Sequence, residues 1–172
     1  AAQDASVSLS LQSIDFREIW RSIHRDRSPY TGRISGRVRL ATAVDDSAAF
    51  PDLWRKSEIS ADLQWQDFTF RGRTLPDFSL HLEHIGERAD LRIVQGVSQI
   101  LASLQADSNR IQGHFRAVIP QIPPYAGLFK VTDLSGGMEA QGEITGTLEA
   151  PAIRIAVALD SVCYQNFPLD SL

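Results

Sequence analysis

The sequence predicts a mainly β chain, folded as an antiparallel meander with one or two short helices. Apolar and polar residues alternate with period two over most of the 172 residues, which is typical of strands that bury one face. Short turns at 71–73, 85–88 and 107–109 separate successive runs, and short turns join neighbouring antiparallel strands. One amphipathic stretch near the N-terminus interrupts the alternation and predicts a helix.

The alternation defines about ten strands. In the first half of the chain the inward-facing residues are Val7, Leu9 and Leu11, then Ile34, Gly36, Val38 and Leu40, then Ile59, Ala61, Leu63 and Trp65, then Phe68 and Phe70, and then Phe78, Leu80 and Leu82. In the second half they are Ala89, Leu91 and Ile93, then Ala102 and Leu104, then Ile111, Gly113, Phe115 and Ala117, then Met138, Ala140, Gly142, Ile144, Gly146 and Leu148, and then Ile153, Ile155, Val157 and Leu159. Phe68 and Phe70 are out of phase with Trp65, which predicts a turn or a bulge at Gln66 and Asp67.

The stretch from about 15 to 24 is the predicted helix, because its apolar residues recur at i, i+3, i+4 and i+7. These residues are Phe16, Ile19, Trp20 and Ile23. Asp15 stands at the N-cap position and Glu18 lies three residues later, as in a capping box. Pro29 is expected to end the helix. A second short helix or turn is predicted near 125–130, after two prolines.

No linker divides residues 1–172, so we expect a single β-rich segment. Its longest loop is predicted at about 42–56, a stretch rich in Ala, Asp and Ser. A weak internal repeat relates 30–38 to 134–142, since each copy is a glycine-containing strand that follows a helical stretch and a loop. Both ends of the chain look cut, which suggests a segment of a longer repetitive protein.

Charge and composition exclude several classes of function. The chain has 17 basic and 21 acidic residues. It therefore has no excess of basic side chains to bind phosphates, and nucleic acid is not an expected partner. No apolar run approaches the roughly 18 residues of a membrane helix. Cys163 is the only cysteine and cannot form an internal disulfide.

Candidate catalytic or metal-binding groups are few. His81, Glu83 and His84 look like a ligand cluster, but on a strand His84 points to the face opposite the other two. His114 is expected to face outward, and the tripeptide at 24–26 matches a kinase catalytic loop without its partner motifs. We therefore expect no enzyme, no catalytic residue, no metal site and no cofactor.

The apolar face is the informative feature, and it has two interpretations. It could form the filled core of a closed β-sandwich or barrel. It could instead line an open trough, because the strand at 138–148 would span about 35 Å and glycines recur on the inner face, where they leave room or permit curvature. These glycines are Gly36, Gly113, Gly142 and Gly146.

The segment 142–153 resembles a stretch that recurs in the TamB family, which belongs with the AsmA-like bridge-like lipid transfer proteins. The shared pattern is a glycine-containing strand followed by Gly-Thr, a hydrophobic residue, two further residues and a proline, here from Gly146 to Pro151. The strand at 32–40 follows the helix near 16–23, and this helix-then-strand order resembles another way in which such glycine-containing strands begin in the family. The general sequence pattern resembles that of the family from Val7 to Leu172.

The resemblance implies a curved β-taco, or half-pipe, with an apolar interior. Proteins of this family are anchored in the inner membrane of diderm bacteria, extend through the periplasm and meet an outer-membrane barrel partner, TamA. They are thought to carry phospholipids and have been proposed to assist outer-membrane protein assembly. For this chain, the resemblance implies phospholipid acyl chains as the partner and a TamA-like contact made through regions outside this fragment.

The leading functional prediction is therefore a periplasmic lipid-conducting groove that supports outer-membrane biogenesis. Acyl chains would lie along Val38, Leu40, Leu63, Trp65, Phe70, Leu80, Leu82, Phe115, Ile144, Leu148, Ile155 and Val157. The alternative is a chaperone or scaffold that pairs its open edges with strands of outer-membrane β-barrel proteins by β-augmentation. A closed sandwich with an unrelated binding role is a third possibility.

Overall fold

A computed structural model describes residues 3–23, 30–44, 56–70, 73–107, 109–126, 133–147, 149–165 and 167–168. The strands are β1 (Gln3–Asp15), β2 (Tyr30–Val44), β3 (Ser57–Phe70), β4 (Arg73–Thr74), β5 (Phe78–Ile85), β6 (Arg88–Gln95), β7 (Ser98–Asp107), β8 (Arg110–Ile119), β9 (Leu134–Thr147), β10 (Pro151–Tyr164) and β11 (Phe167–Pro168). Among the described residues two helices interrupt them, α1 (Phe16–Ile23) and α2 (Pro123–Ala126).

All strands belong to one antiparallel sheet whose spatial order follows the chain. The order is β1-β2-β3-β5-β6-β7-β8-β9-β10-β11, and the two-residue β4 pairs with the end of β3. β1 and β10 do not meet, so the sheet stays open. The predicted mainly β meander with short helices is therefore confirmed, and its curvature matches a half-pipe with an apolar interior.

The sheet is a single layer over its described length. Among the described elements, the most extensive packing joins strands that are adjacent in the sheet, and α1 packs against β1 and β2 and α2 against β9. The accessible surface of the chain is 12277 Å², whereas a compact monomer of this mass would expose about 8,400 Å². The closed sandwich that the sequence left open is thus wrong for this part of the chain.

Three β-bulges keep the apolar residues on one face near the end of the sheet where the helices lie. Each bulge has a non-glycine residue with positive φ: Ser13 in β1, Asp67 in β3 and Ser161 in β10. The predicted irregularity at Gln66 and Asp67 is confirmed as the β3 bulge. Because a bulge adds one residue, it returns the following side chains to the face they would otherwise leave.

The weak sequence repeat corresponds to a repeated backbone arrangement. Gly32 in β2 has a φ of 135° and lies opposite the β3 bulge, two residues from the start of its strand. Gly136 in β9 has a φ of 107° and lies opposite the β10 bulge, at the same distance from its strand start. The two strand pairs therefore share register and bulge position.

The helices begin where capping and proline favour a first turn. Asp15 caps α1 by accepting a hydrogen bond from the backbone N–H of Arg17 at 2.9 Å, as the N-cap prediction requires. The predicted helix at 15–24 is found at 16–23, and Pro29 lies outside the described residues. α2 begins at Pro123, slightly before the predicted 125–130, and proline fits the first turn of a helix.

The predicted long loop at 42–56 begins later than expected, whereas β3 starts at Ser57, directly after its predicted end. β2 continues to Val44, and Thr42 still pairs with Ser57. Residues 45–55 lie outside the described part of the chain. None of the described helices has the length and apolar character needed to span a membrane.

Candidate functional site: the apolar face of the sheet

Three rungs of side chains cross the sheet on one face from β1 to β10, and together they are called the apolar face here. The central rung comprises Leu9, Val38, Ala61, Leu82, Leu91, Ala102, Phe115, Gly142 and Ile155. The lower rung, nearer the helices, comprises Leu11, Gly36, Leu63, Leu80, Ile93, Ile100, Ala117, Ala140 and Val157. The upper rung comprises Val7, Leu40, Ile59, His84, Ala89, Leu104, Gly113, Ile144 and Ile153.

The apolar face is uncharged and long. None of its described positions is Asp, Glu, Lys or Arg, and His84 is the one polar side chain among them. Nine strands at about 4.8 Å spacing make it about 38 Å wide across the sheet, and three rungs extend over about 13 Å along the strands. A guest with an extended hydrocarbon part would find a continuous apolar path across the strands.

The opposite face carries the charges. A rung there runs through Ser10, Arg37, Asp62, His81, Arg92, Leu101, Arg116, Gln141 and Ala156. Arg116 forms an ion pair with Glu139 at 2.8 Å. Arg88 donates a hydrogen bond to Asp90 at 2.7 Å, and this bond lowers the pKa of the Asp90 carboxyl from its ordinary value. Exposed ion pairs of this kind favour contact with water over contact with an apolar guest.

A depression in the described surface lies on this charged face. It has a volume of about 820 Å³, and Arg37, Asp62, His81 and Arg92 are among the residues that line it. Long side chains that stand up from a single-layer sheet enclose such space between them. The ionisable side chains around this space argue against an apolar guest, so the apolar face remains the candidate site.

Burial on the apolar face falls from the middle of the sheet towards its two edges. Ala61 is 5% exposed, whereas Leu9 and Val7 on β1 are 55% and 67% exposed. At the other edge, Val157 and Ile155 are 56% and 61% exposed. Over most of their length β1 and β10 have a neighbour on one side only among the described strands, so both ends of the face are more open to solvent than its middle.

The structure brings together the predicted groove residues that it describes. Nine of the twelve lie on the three rungs: Val38, Leu40, Leu63, Leu80, Leu82, Phe115, Ile144, Ile155 and Val157. Trp65 and Phe70 lie on the same side but beyond the lower rung. Leu148 lies outside the described residues. The sequence analysis did not include Ile100, which lies on the lower rung. Ile100 precedes the predicted inward residue Ala102 by two positions, so the alternation could have identified it.

An aromatic cluster closes the lower margin of the apolar face. α1 places Phe16 with its ring 4.8 Å from that of Trp65, and Trp65 in turn stacks on Phe78 at 5.3 Å. Tyr30 stacks on Phe70 at 5.0 Å. Trp20 and Phe68 complete the cluster. The protein's own rings thus fill this end, which leaves the three rungs above it as the surface available to a guest.

The candidate chemical groups do not converge. His81 and Glu83 are exposed on the charged face, whereas His84 is 2% exposed on the apolar face, as strand alternation predicts. His114 is exposed on the charged face, also as expected. The described residues contain no group of three His, Cys, Asp or Glu side chains arranged to hold a metal ion. The tripeptide at 24–26 lies outside the described residues.

Comparison of the chain with protein-family models, with curated proteins and with solved structures found no match. The resemblance to the TamB family therefore stays a prediction from the sequence pattern.

Proposed function

We propose that this chain is a periplasmic segment of a lipid-conducting groove that links the inner and outer membranes of a diderm bacterium. The observation that carries the proposal is the uncharged apolar face, which runs across nine strands and has no second layer over its described part. Soluble domains rarely leave a continuous apolar surface of this extent without a binding partner. The TamB-like segment at 142–153 supports the same function.

The mechanism is passive. Each methylene group that leaves water for an apolar surface contributes about 0.8 kcal/mol, so an acyl chain on the apolar face gains on the order of 10 kcal/mol before its ordering cost is subtracted. Head groups stay towards the open side, where water solvates them. No covalent bond is made or broken, and the membranes at either end set the direction of movement.

The first experiment locates the lipid by photo-crosslinking. A photoreactive residue at Leu82, on the central rung, is expected to capture phospholipid in cells. The matched position is Arg37, which is exposed on the charged face and is expected to capture none. Equal capture at both positions would show that lipid adsorbs without using the apolar face.

A second experiment places charge on each face of the same strand. Leu80→Asp introduces a carboxylate on the lower rung, and Ser79→Asp introduces one on the charged face of β5. Purified Leu80→Asp protein is expected to lose uptake of a fluorescent phospholipid, because a carboxylate is costly against hydrocarbon. Ser79→Asp is expected to keep it. Unchanged uptake by a folded Leu80→Asp variant would contradict the groove.

The second candidate function is a scaffold for outer-membrane β-strands, and the open edges of β1 and β10 favour it. An exposed strand edge can add a client strand through backbone hydrogen bonds. Such pairing should tolerate Leu80→Asp better than lipid uptake does. Photoreactive groups on β1 or β10 that capture polypeptide rather than lipid would favour this function over the groove.

A further inference from the structure

Phe115 is the one aromatic side chain on the three described rungs of the apolar face. Its nearest neighbours on that face are the two residues opposite it on β7 and β9 and the residues two positions before and after it on β8. All of these neighbours are glycine or alanine, namely Ala102, Gly142, Gly113 and Ala117. The ring is therefore surrounded by small residues on a surface that is mainly aliphatic.

The ring of Phe115 lies over the backbone of β9. A Cβ atom at Gly142 would be 2.4 Å from Cε1 and 2.6 Å from Cζ of this ring, so the ring occupies the space in which a side chain at position 142 would stand. This arrangement requires a residue without a Cβ atom beneath the ring. Gly142 thus allows Phe115 to lie along the sheet instead of projecting from the apolar face.

The other three neighbours do not offer the ring the same space. Ala102 and Ala117 carry methyl groups on the apolar face. Gly113 is covered by Leu104, because a Cβ atom at Gly113 would lie 2.9 Å from Cδ1 of that leucine. If residue 142 acquired a side chain, we expect the ring to move away from the sheet, into the space that a guest on the apolar face would use.

We propose that Phe115 and Gly142 form a low section of the apolar face, in which the flat ring lets an acyl chain lie across β8 and β9. Phe115 contacts the hydrocarbon, and Gly142 is a positioning residue that leaves room beneath the ring. This inference rests on the lipid-conducting function proposed above. It adds a local requirement, because lipid has to cross the sheet at this ring and a raised ring obstructs it.

Photo-crosslinking on either side of the ring tests this requirement. Leu82 and Ile155 lie on the central rung, three strands before and two strands after β8. Each is replaced by a photoreactive residue in the purified chain, and the probe is dihexanoyl phosphatidylglycerol below its critical micelle concentration. In Gly142→Ala, capture of this lipid at position 155 is expected to fall about tenfold, since a raised ring removes contact with about two methylene groups. Capture at position 82 is expected to stay unchanged.

Gly113→Ala is the matched control for distortion of the sheet. Its Cβ atom would lie 2.6 Å from the backbone oxygen of Ser103, and that of Gly142→Ala would lie 2.5 Å from the backbone oxygen of Arg154. The two variants therefore meet neighbouring backbone at similar distances. The nearest side-chain atom at Gly113 belongs to Leu104 rather than to the ring, so capture at position 155 is expected to persist in Gly113→Ala.

A double variant tests whether the ring is the obstruction. Phe115→Ala combined with Gly142→Ala keeps the new methyl group on β9 and removes the ring above it. Capture at position 155 is expected to return towards the wild-type level. A role of Gly142 in the sheet alone predicts no such recovery, because the close approach to the backbone of β10 remains.

Fluorine NMR tests contact between the ring and lipid in a chain that keeps Gly142. Para-fluorophenylalanine at position 115 is expected to change its chemical shift when the same lipid is added, because the flat ring faces the guest. The control is position 78, where the ring of Phe78 lies 5.3 Å from that of Trp65 and 5.6 Å from that of Phe68 within the aromatic cluster. Its signal is expected to stay in place.

The outcomes separate this inference from the function on which it rests. If the otherwise unchanged chain captures no lipid at either position, the groove itself is rejected and this inference with it. Capture at both positions that persists in a folded Gly142→Ala variant would overturn only the role of the ring. Equal losses in Gly142→Ala and Gly113→Ala, or a loss that the double variant does not reverse, would do the same. If Gly142→Ala does not fold, an unshifted fluorine signal at position 115 in lipid-binding protein overturns the inference.

Discussion

Gly32 on β2 lies opposite the bulge at Asp67 on β3, and both residues have positive φ, 135° and 53° respectively. A Cβ atom at Gly32 would lie 2.9 Å from Nε1 of Trp65 and 3.0 Å from the backbone oxygen of Gln66. The backbone N–H of Asp67 donates to Asp77 at 2.9 Å. The backbones of β2 and β3 thus approach closely at the β3 bulge. Trp65 and Phe68, on either side of the bulge, lie in contact on the same face.

Gly32→Ala is therefore expected to destabilise the fold by about 1–3 kcal/mol, because alanine adopts this φ with strain and meets the backbone of β3. Gly96→Ala is the control: its φ is +56° but no atom lies within 4 Å of a Cβ there, so only the backbone cost of about 1 kcal/mol applies. Chemical denaturation measures both. An equal loss in the two variants would show that the close approach has no effect.

The gradient of burial predicts a gradient of stability effects. Ile34 is 4% exposed, next to the aromatic cluster, whereas Ile155 on the edge is 61% exposed. Ile34→Ala is expected to cost about 2–4 kcal/mol, since it empties a buried site, and Ile155→Ala less than about 1 kcal/mol. A large cost at Ile155 in dilute, monomeric protein would mean that something covers the β10 edge.

The N-cap of α1 predicts a pH dependence. Hydrogen bonds from the Arg17 side chain lower the pKa of Asp15 from its ordinary value of 3.8. A lowered pKa in the folded state contributes stability that is present above the ordinary value and is lost as the pH falls through the lowered one. Asp15→Ala is expected to cost about 1 kcal/mol at neutral pH.

Asp15→Asn separates the charge from the cap. Asparagine still accepts the backbone N–H of Arg17, so this variant is expected to keep much of the neutral-pH stability. Its unfolding free energy should fall less between neutral and strongly acidic pH than that of the wild type. A parallel decline in both proteins would contradict a role for the Asp15 charge.

The aromatic cluster predicts how α1 is attached. Phe16→Ala removes the ring that lies 4.8 Å from Trp65, so we expect a loss of about 3 kcal/mol and a red shift of tryptophan fluorescence. Phe167→Ala, at a phenylalanine that is 72% exposed, should change neither quantity measurably. An unshifted emission spectrum in Phe16→Ala would indicate that Trp65 is covered by other rings.

The strands, their inward residues and the α1 cap could be predicted because each depends on local chemistry. Period two assigned Leu80 and His81 to opposite faces, and the phase change after Trp65 predicted the β3 bulge. Val38 and Phe115 were assigned to the same face as Leu82 for the same reason, and strand pairing places them on one rung with it. Ile100 was overlooked, although it obeys the same alternation.

The alternation by itself determined which side chains share a face, since successive residues of a strand point to opposite sides. It could not determine whether a second layer covers that face, because a filled core and an open trough require the same sequence of apolar and polar residues. Only the tertiary structure decided this, through long-range strand pairing that, in the described part of the chain, runs from β1 to β11 without closing. It also brought Phe16 onto Trp65, a contact between residues distant in sequence that no local pattern encodes.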